Sequence, residues 1–106
     1  MANKRKSYLK KASLSSFRKK VYQAVLGIPL GQVRSYKWVA KRIGKACAYR
    51  AVGTALSKNP YPLIIPCHRV VKSNKEIGGY IFGEKKKRIL LNLEKKLSIS
   101  LKSIKN

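Results

Sequence analysis

Acidic residues are scarce in this chain: three Asp and Glu stand against 26 Lys and Arg over 106 residues, a formal net charge of +23. Such a chain repels itself unless a polyanion is at hand. Nucleic acid is therefore the expected partner class, with an anionic membrane surface second. Long apolar runs are missing too, and none approaches the roughly 18 residues of a spanning helix. The opening "MANKRKSYLKKASLSS" has the charge of a signal peptide's first part and no apolar segment after it. An intracellular, reducing location follows as the expectation: cytoplasmic, or nuclear in a eukaryote. There Cys47 and Cys67 are free thiols rather than a disulfide. One histidine and two cysteines match no standard zinc spacing, so no metal and no cofactor are expected.

What is present suits one small domain. Hydrophobic content of 44% fits a folded protein despite the charge. Residues 1–14 read as a basic mobile arm, 15–97 as the folded domain, and 98–106 as a basic C-terminal tail. "SSFRKKVYQAVLGIPLG" begins with a Ser cap and places Phe17, Val21, Ala24, Val25 and Ile28 at helical spacing. In "QVRSYKWVAKRIGKACAYRAVGTALSKNP", Ser35 caps a helix to about Ile43, with Val39 and Ile43 inward. Gly44 ends it, and a second helix runs from about Ala46 to Ser57. Two short helices around a tight turn make a helix-turn-helix pattern. Arg50, Lys37, Lys41, Arg42 and Lys45 raise the DNA reading above that of a generic helical hairpin. Trp38 reads as core.

Beyond the Asn59-Pro60 turn, Leu63–Ile65 and Arg69–Val71 are β-type around a Pro-Cys corner. "SNKEIGGY" reads as a hairpin turn. A last helix starts near Gly83 with Leu90, Leu93 and Leu97 on one stripe, and it can run past Leu97. The expected fold is mainly α with short β strands, a winged helix-like domain containing a helix-turn-helix. By helical rotation Glu94 falls inside the leucine stripe. A buried carboxylate without partners is costly, and His68 is the only imidazole available to it.

The stretches "IPLGQVRSY", "RAVGTALSKNP", "IPCHRV", "GGY" and "LLNLE", in this order without long gaps, resemble the O6-alkylguanine-DNA alkyltransferase family across residues 17 to about 95. The resemblance implies a DNA repair protein that flips O6-alkylguanine out of duplex DNA. It then transfers the alkyl group irreversibly to its own cysteine, acting as a monomer, with O4-alkylthymine a further candidate lesion. On that resemblance Cys67 is the acceptor and His68 its base through a water, with Glu94 holding the imidazole and Tyr36 donating toward the guanine. The chemistry agrees. Displacement at carbon needs a thiolate, and a free thiol with a pKa of about 8.5 is mostly protonated at neutral pH. Adjacent strand residues point to opposite faces, so Cys67 and His68 meet directly only if the backbone turns there.

A base inside a duplex must be extruded before a buried thiol can reach it. Arg50 matches the family's finger that fills the vacated stack, and its planar guanidinium suits that role. Ser35, Lys37, Ala51 and Gly53 complete the expected DNA-binding set. Asn59 matches a residue that braces the turn before the Cys segment. Pro66, Val70, Tyr80 and Ile81 line the expected pocket, with the Cys67 and Val70 carbonyls reading the purine edge. Ile81-Phe82 departs from some family members that carry a small polar residue near the alkylated oxygen, which leaves the donor to that oxygen open; a backbone N–H could serve. A basic arm is expected to stand in place of the N-terminal domain of longer members.

Taken singly, Cys67 and His68 would be structural core residues. Cys47 reads as a small helix residue without a base near it in sequence. The lysines at 85–87 and 95–96 read as solvated faces that help hold phosphates. Two other classes remain: a lesion sensor without transfer, which the presence of Cys67 disfavours, and a basic architectural DNA- or RNA-binding protein. The latter leaves Cys67, His68 and Glu94 without purpose.

Overall fold

The computed structural model describes residues 15–74 and 76–105, with side chains through Ser103. Residues 1–14, expected to form the basic arm, lie outside the described residues.

Helix α1 spans Ser16–Leu26. Ser15 accepts from the Arg18 N–H at 3.2 Å, satisfying one of the orphan donors of the first turn. Val21, Val25 and Ile28 enter the core, as the spacing predicts, while Phe17 and Ala24 pack at its edge. Tyr22 is also fully buried, with its hydroxyl donating to the Ala55 carbonyl at 2.6 Å. A phenol can be buried because it found that acceptor.

After a Pro-Gly loop the chain forms β1, Arg34–Ser35. Ser35 then caps α2, Tyr36–Arg42, accepting from the Trp38 N–H at 2.9 Å. Gly44 takes φ +77°, a conformation that L side chains disfavour, and turns the chain. Helix α3 is Tyr49–Ser57, beginning three residues later than the sequence pattern suggests. The Ala48 N–H closes a turn onto the Lys45 carbonyl, so local turn geometry overrides the alanine-rich propensity. Helices α2 and α3 form the helix-turn-helix, packed on α1 through Val39, Ala40, Val52, Ala55 and Leu56.

Leu63–Ile65 is not a strand. Pro62 cannot donate, Leu63 sits at φ +75°, and both Leu63 and Ile64 are exposed. Asn59 holds this turn, its amide donating to the Ile65 carbonyl at 2.8 Å and its carbonyl accepting from the Tyr61 N–H at 2.9 Å. Cys67–Arg69 forms a 3-10 turn rather than a strand, and only Val70–Val71 (β2) is extended. Strand β2 pairs in parallel with β1, Arg34 opposite Val70 and Ser35 opposite Val71. The expected hairpin is therefore not formed among the described residues. A turn closed by the Lys72 N–H on the Glu76 carbonyl follows β2 instead.

Helix α4 spans Glu84–Lys105, continuing through most of the expected tail. Its inward face also differs from the expected stripe. Leu90 is half-buried, but Leu93 and Leu97 are about half exposed. Lys87, Leu91, Glu94 and Ser98 face the domain instead. Two polar anchors set this phase: Lys87 and Glu94 are each hydrogen-bonded inward. Gly31, at φ +82°, seats the α1–β1 loop on the same helix, where a Cβ would lie 2.6 Å from the Ser98 Cβ. No helix among the described residues is long and apolar enough to cross a membrane.

Candidate active site

A 3-10 turn, not a strand, carries the adjacent Cys67 and His68. The Arg69 N–H bonds the Pro66 carbonyl at 2.9 Å, and Pro66, Cys67 and His68 are all buried. Cys67 opens onto a cavity of about 410 Å³ lined by Tyr36, Gly53, Leu56, Ser57, Gly79, Tyr80 and Ile81. Tyr36 and Gly53 are shared with a wider cleft edged by Lys37, Tyr49, Arg50 and the Lys72–Asn74 turn. The cavity thus communicates with the exposed basic face of the helix-turn-helix.

His68 is 1% exposed. Its Nε2 lies 2.9 Å from Oε2 of Glu94, at ion-pair distance but outside hydrogen-bond alignment, while Nδ1 is buried without a hydrogen-bond partner among the described residues. Burial alone would raise the Glu94 carboxyl. The Arg69 hydrogen bonds, the close His68 contact and the charge of both partners bring it below its ordinary value. Burial pushes the Cys67 thiol up, against the Asn59 amide, the Lys87 charge and the N–H groups of Cys67 and His68. The resting thiol is therefore protonated at neutral pH. Tyr36 is raised by burial and by proximity to Cys67, which keeps its phenol a proton donor.

Arg50, Ala51 and Lys37 are exposed, and the Lys37 ammonium lies 5.5 Å from the Tyr49 ring centroid. Ser35 is occupied as a helix cap. Tyr80 packs edge-on to His68 at 6.1 Å and to Phe82 at 5.6 Å, with its hydroxyl buried and unpaired among the described residues. Ile81 lines the cavity while half exposed. Cys47 is exposed. Among the described residues no group of three metal-ligating side chains occurs.

Two residues escaped the sequence reading. Lys87, taken there as part of a solvated run, is fully buried. Its Nζ donates to the carbonyls of Val70 at 2.6 Å and Gly79 at 3.0 Å, so the Val70 carbonyl already carries an internal hydrogen bond. Burial, the largest influence, lowers its pKa to about 8 against the pull of Cys67 and Glu84. The available signal was register: of the three lysines 85–87, only Lys87 is seven residues before Glu94 and four before Leu91. Arg69 is the second. Its Nε and Nη2 grip both Glu94 oxygens at 2.9 and 2.8 Å, and its Nη1 donates to the Ile28 carbonyl at 2.9 Å.

The arrangement is a helix-turn-helix domain with a buried thiol–imidazole–carboxylate site beside its basic face. Residues 16–96 match the model of the 6-O-methylguanine DNA methyltransferase DNA-binding domain. The chain belongs to that family. A Methanosarcina barkeri methylated-DNA–protein-cysteine methyltransferase is 49% identical over 80 residues, 76% of this chain and 51% of that one. A crystal structure of Mycobacterium tuberculosis OGT in complex with DNA superposes with a TM-score of 0.77 at 44% identity, covering 78% of this chain and 52% of that one. Schizosaccharomyces pombe Atl1, in complex with damaged DNA containing O6-carboxymethylguanine, gives a TM-score of 0.67 at 32% identity, covering 78% and 79%. The chain spans about half the length of the curated relatives it matches.

Proposed function

We propose that this chain is a single-turnover DNA repair protein that takes the alkyl group of O6-alkylguanine in duplex DNA onto Cys67. The observation carrying this reading is the buried Cys67 at the floor of a cavity that opens onto Arg50 and the basic helices, backed by the His68–Glu94 pair. Arg50 at the rim suits filling the stack once the base is extruded.

His68 takes the thiol proton through a water at Nδ1, which has no partner among the described residues, and Glu94 stabilises the imidazolium. The Cys67 sulfur attacks the alkyl carbon, forming the S–C bond as the C–O6 bond breaks. The electron pair goes to the purine, which accepts a proton from Tyr36, and Tyr36 recovers one from the imidazolium. Overall the thiol hydrogen and the alkyl group exchange places. Asn59 braces the turn before Cys67, Tyr80 and Ile81 line the pocket, and Pro66 and Val70, outside that lining, flank the Cys67 turn. Ser35, Lys37, Ala51 and Gly53 lie along the DNA-facing helices, and the protein acts as a monomer without a cofactor.

A second reading, lesion sensing without transfer, is favoured by the likeness to Atl1. Incubation with duplex DNA carrying O6-methylguanine, followed by intact mass, separates the two. One added methyl supports transfer, and lesion-selective binding without mass gain supports sensing. Indifference to the lesion leaves an architectural role.

A further inference from the structure

Glu94 meets a guanidinium and an imidazole at once. Oε2 lies 2.9 Å from His68 Nε2 and 2.8 Å from Arg69 Nη2, and Oε1 accepts from Arg69 Nε at 2.9 Å. The guanidinium grips the carboxylate two-pronged, the strongest form of this pair. Its third arm holds the Ile28 carbonyl, the point where α1 runs into the loop that Gly31 seats on Ser98. Arg69 therefore cannot swing away without loosening α1, the 3-10 turn and α4 together. All three side chains are largely removed from water, at 2% exposure for His68, 16% for Arg69 and 12% for Glu94.

We propose that Arg69 is a positioning residue that keeps His68 a neutral imidazole at rest, by compensating the Glu94 charge that His68 would otherwise neutralise. This rests on the transfer reading above, in which His68 must begin unprotonated to accept the Cys67 proton. With Arg69 in place, the Arg–Glu–His cluster is neutral when the imidazole is neutral. Protonating His68 leaves a buried net positive charge. That charge is balanced only once Cys67 becomes a thiolate, so Arg69 couples protonation of the base to ionisation of the nucleophile. Without Arg69, Glu94 would be a buried carboxylate whose nearest counterion is His68, and the imidazolium would persist.

The other titratable groups around the site are Tyr80 beside the ring, Cys67 next in the chain, Lys87 of α4 on the Val70 and Gly79 carbonyls, and Tyr22 and Tyr36 toward Cys67. None of them is bonded to the Arg69 guanidinium.

His68 is the only histidine in the chain, so one imidazole resonance reports on it without assignment work. In Arg69→Met the NMR titration midpoint of that resonance should rise by about one pH unit relative to the parent protein. The pH of half-maximal transfer from free O6-benzylguanine should rise with it. Arg69→Lys keeps a charge but not the fork, and should give a smaller rise; it carries the test alone if Arg69→Met does not fold. An unmoved or lowered midpoint in folded variants, even with slower transfer, would show that Arg69 is only structural. A moved midpoint in a protein that never transfers alkyl would keep the Arg69 role and remove the transfer reading.

Discussion

The Nζ of Lys87 lies 2.6 Å from the Val70 carbonyl and is wholly shielded from solvent. It joins β2, which follows the Cys67 turn, to Gly79 on the wall of the cavity onto which Cys67 opens. Its pKa stands at about 8 rather than 10.5, chiefly through burial. A lysine lowered on folding binds fewer protons in the folded than in the unfolded chain between those values. Stability from this group therefore rises with pH from about 8 to 10.5, by up to about 3 kcal/mol at 1.36 kcal/mol per unit. Chemical denaturation across pH 7–10 should show that rise in the parent protein. Lys87→Met should lack it.

Asn59 spans the turn that delivers Cys67, bonding both the Tyr61 N–H and the Ile65 carbonyl, and its amide also lowers the thiol. Asn59→Ala should cost about 1–3 kcal/mol of stability, because buried backbone groups lose their partner. Transfer from free O6-benzylguanine should slow in the same variant while duplex affinity holds. Parallel denaturation and single-turnover kinetics check both.

Much of this site could be read from the residues alone. The Ser15 and Ser35 caps, the inward faces of α1 and α2, and the inward turn of Glu94 follow from spacing and cap chemistry. The phase of α4 was only half legible. Leucines 90, 93 and 97 form a plausible stripe, yet Lys87 and Glu94 rotate the helix because their inward hydrogen bonds outweigh leucine burial. Nothing local announces those partners, since Val70 and Gly79 are distant in sequence or in another segment. The Leu63–Ile65 stretch misleads for a similar reason. Its β-type side chains suggest a strand, but Pro62 and the Asn59 brace bend the backbone into a turn that leaves Leu63 and Ile64 in solvent. Two-residue parallel strands are set by long-range pairing, which periodicity cannot report.

Arg50 is exposed at the cleft edge and does not line the thiol cavity. Arg50→Ala should slow repair in duplex DNA far more than transfer from free O6-benzylguanine, since a free base needs no extrusion. Extrusion costs a few kcal/mol, and each uncompensated 1.4 kcal/mol is about tenfold in rate. Equal losses on the two substrates would mean that Arg50 shapes the cavity instead.

Residues 1–14 carry Lys4, Arg5, Lys6, Lys10 and Lys11. If they contact phosphates, deleting them makes the log–log salt dependence of duplex binding shallower, by about 0.9 per lost contact. Free-base transfer should be unchanged. An unaltered slope would leave the helix-turn-helix face and the exposed lysines of α4 as the binding surface.

The central claim is that Cys67 accepts one alkyl group, once. Titrating the protein with duplex DNA whose O6-methylguanine carries a labelled methyl, then mapping the label to a peptide, tests it most directly. The account predicts a plateau at one methyl per chain, with all label on the Cys67 peptide and none transferred in Cys67→Ser. Label on Cys47, or turnover beyond one equivalent, would contradict it.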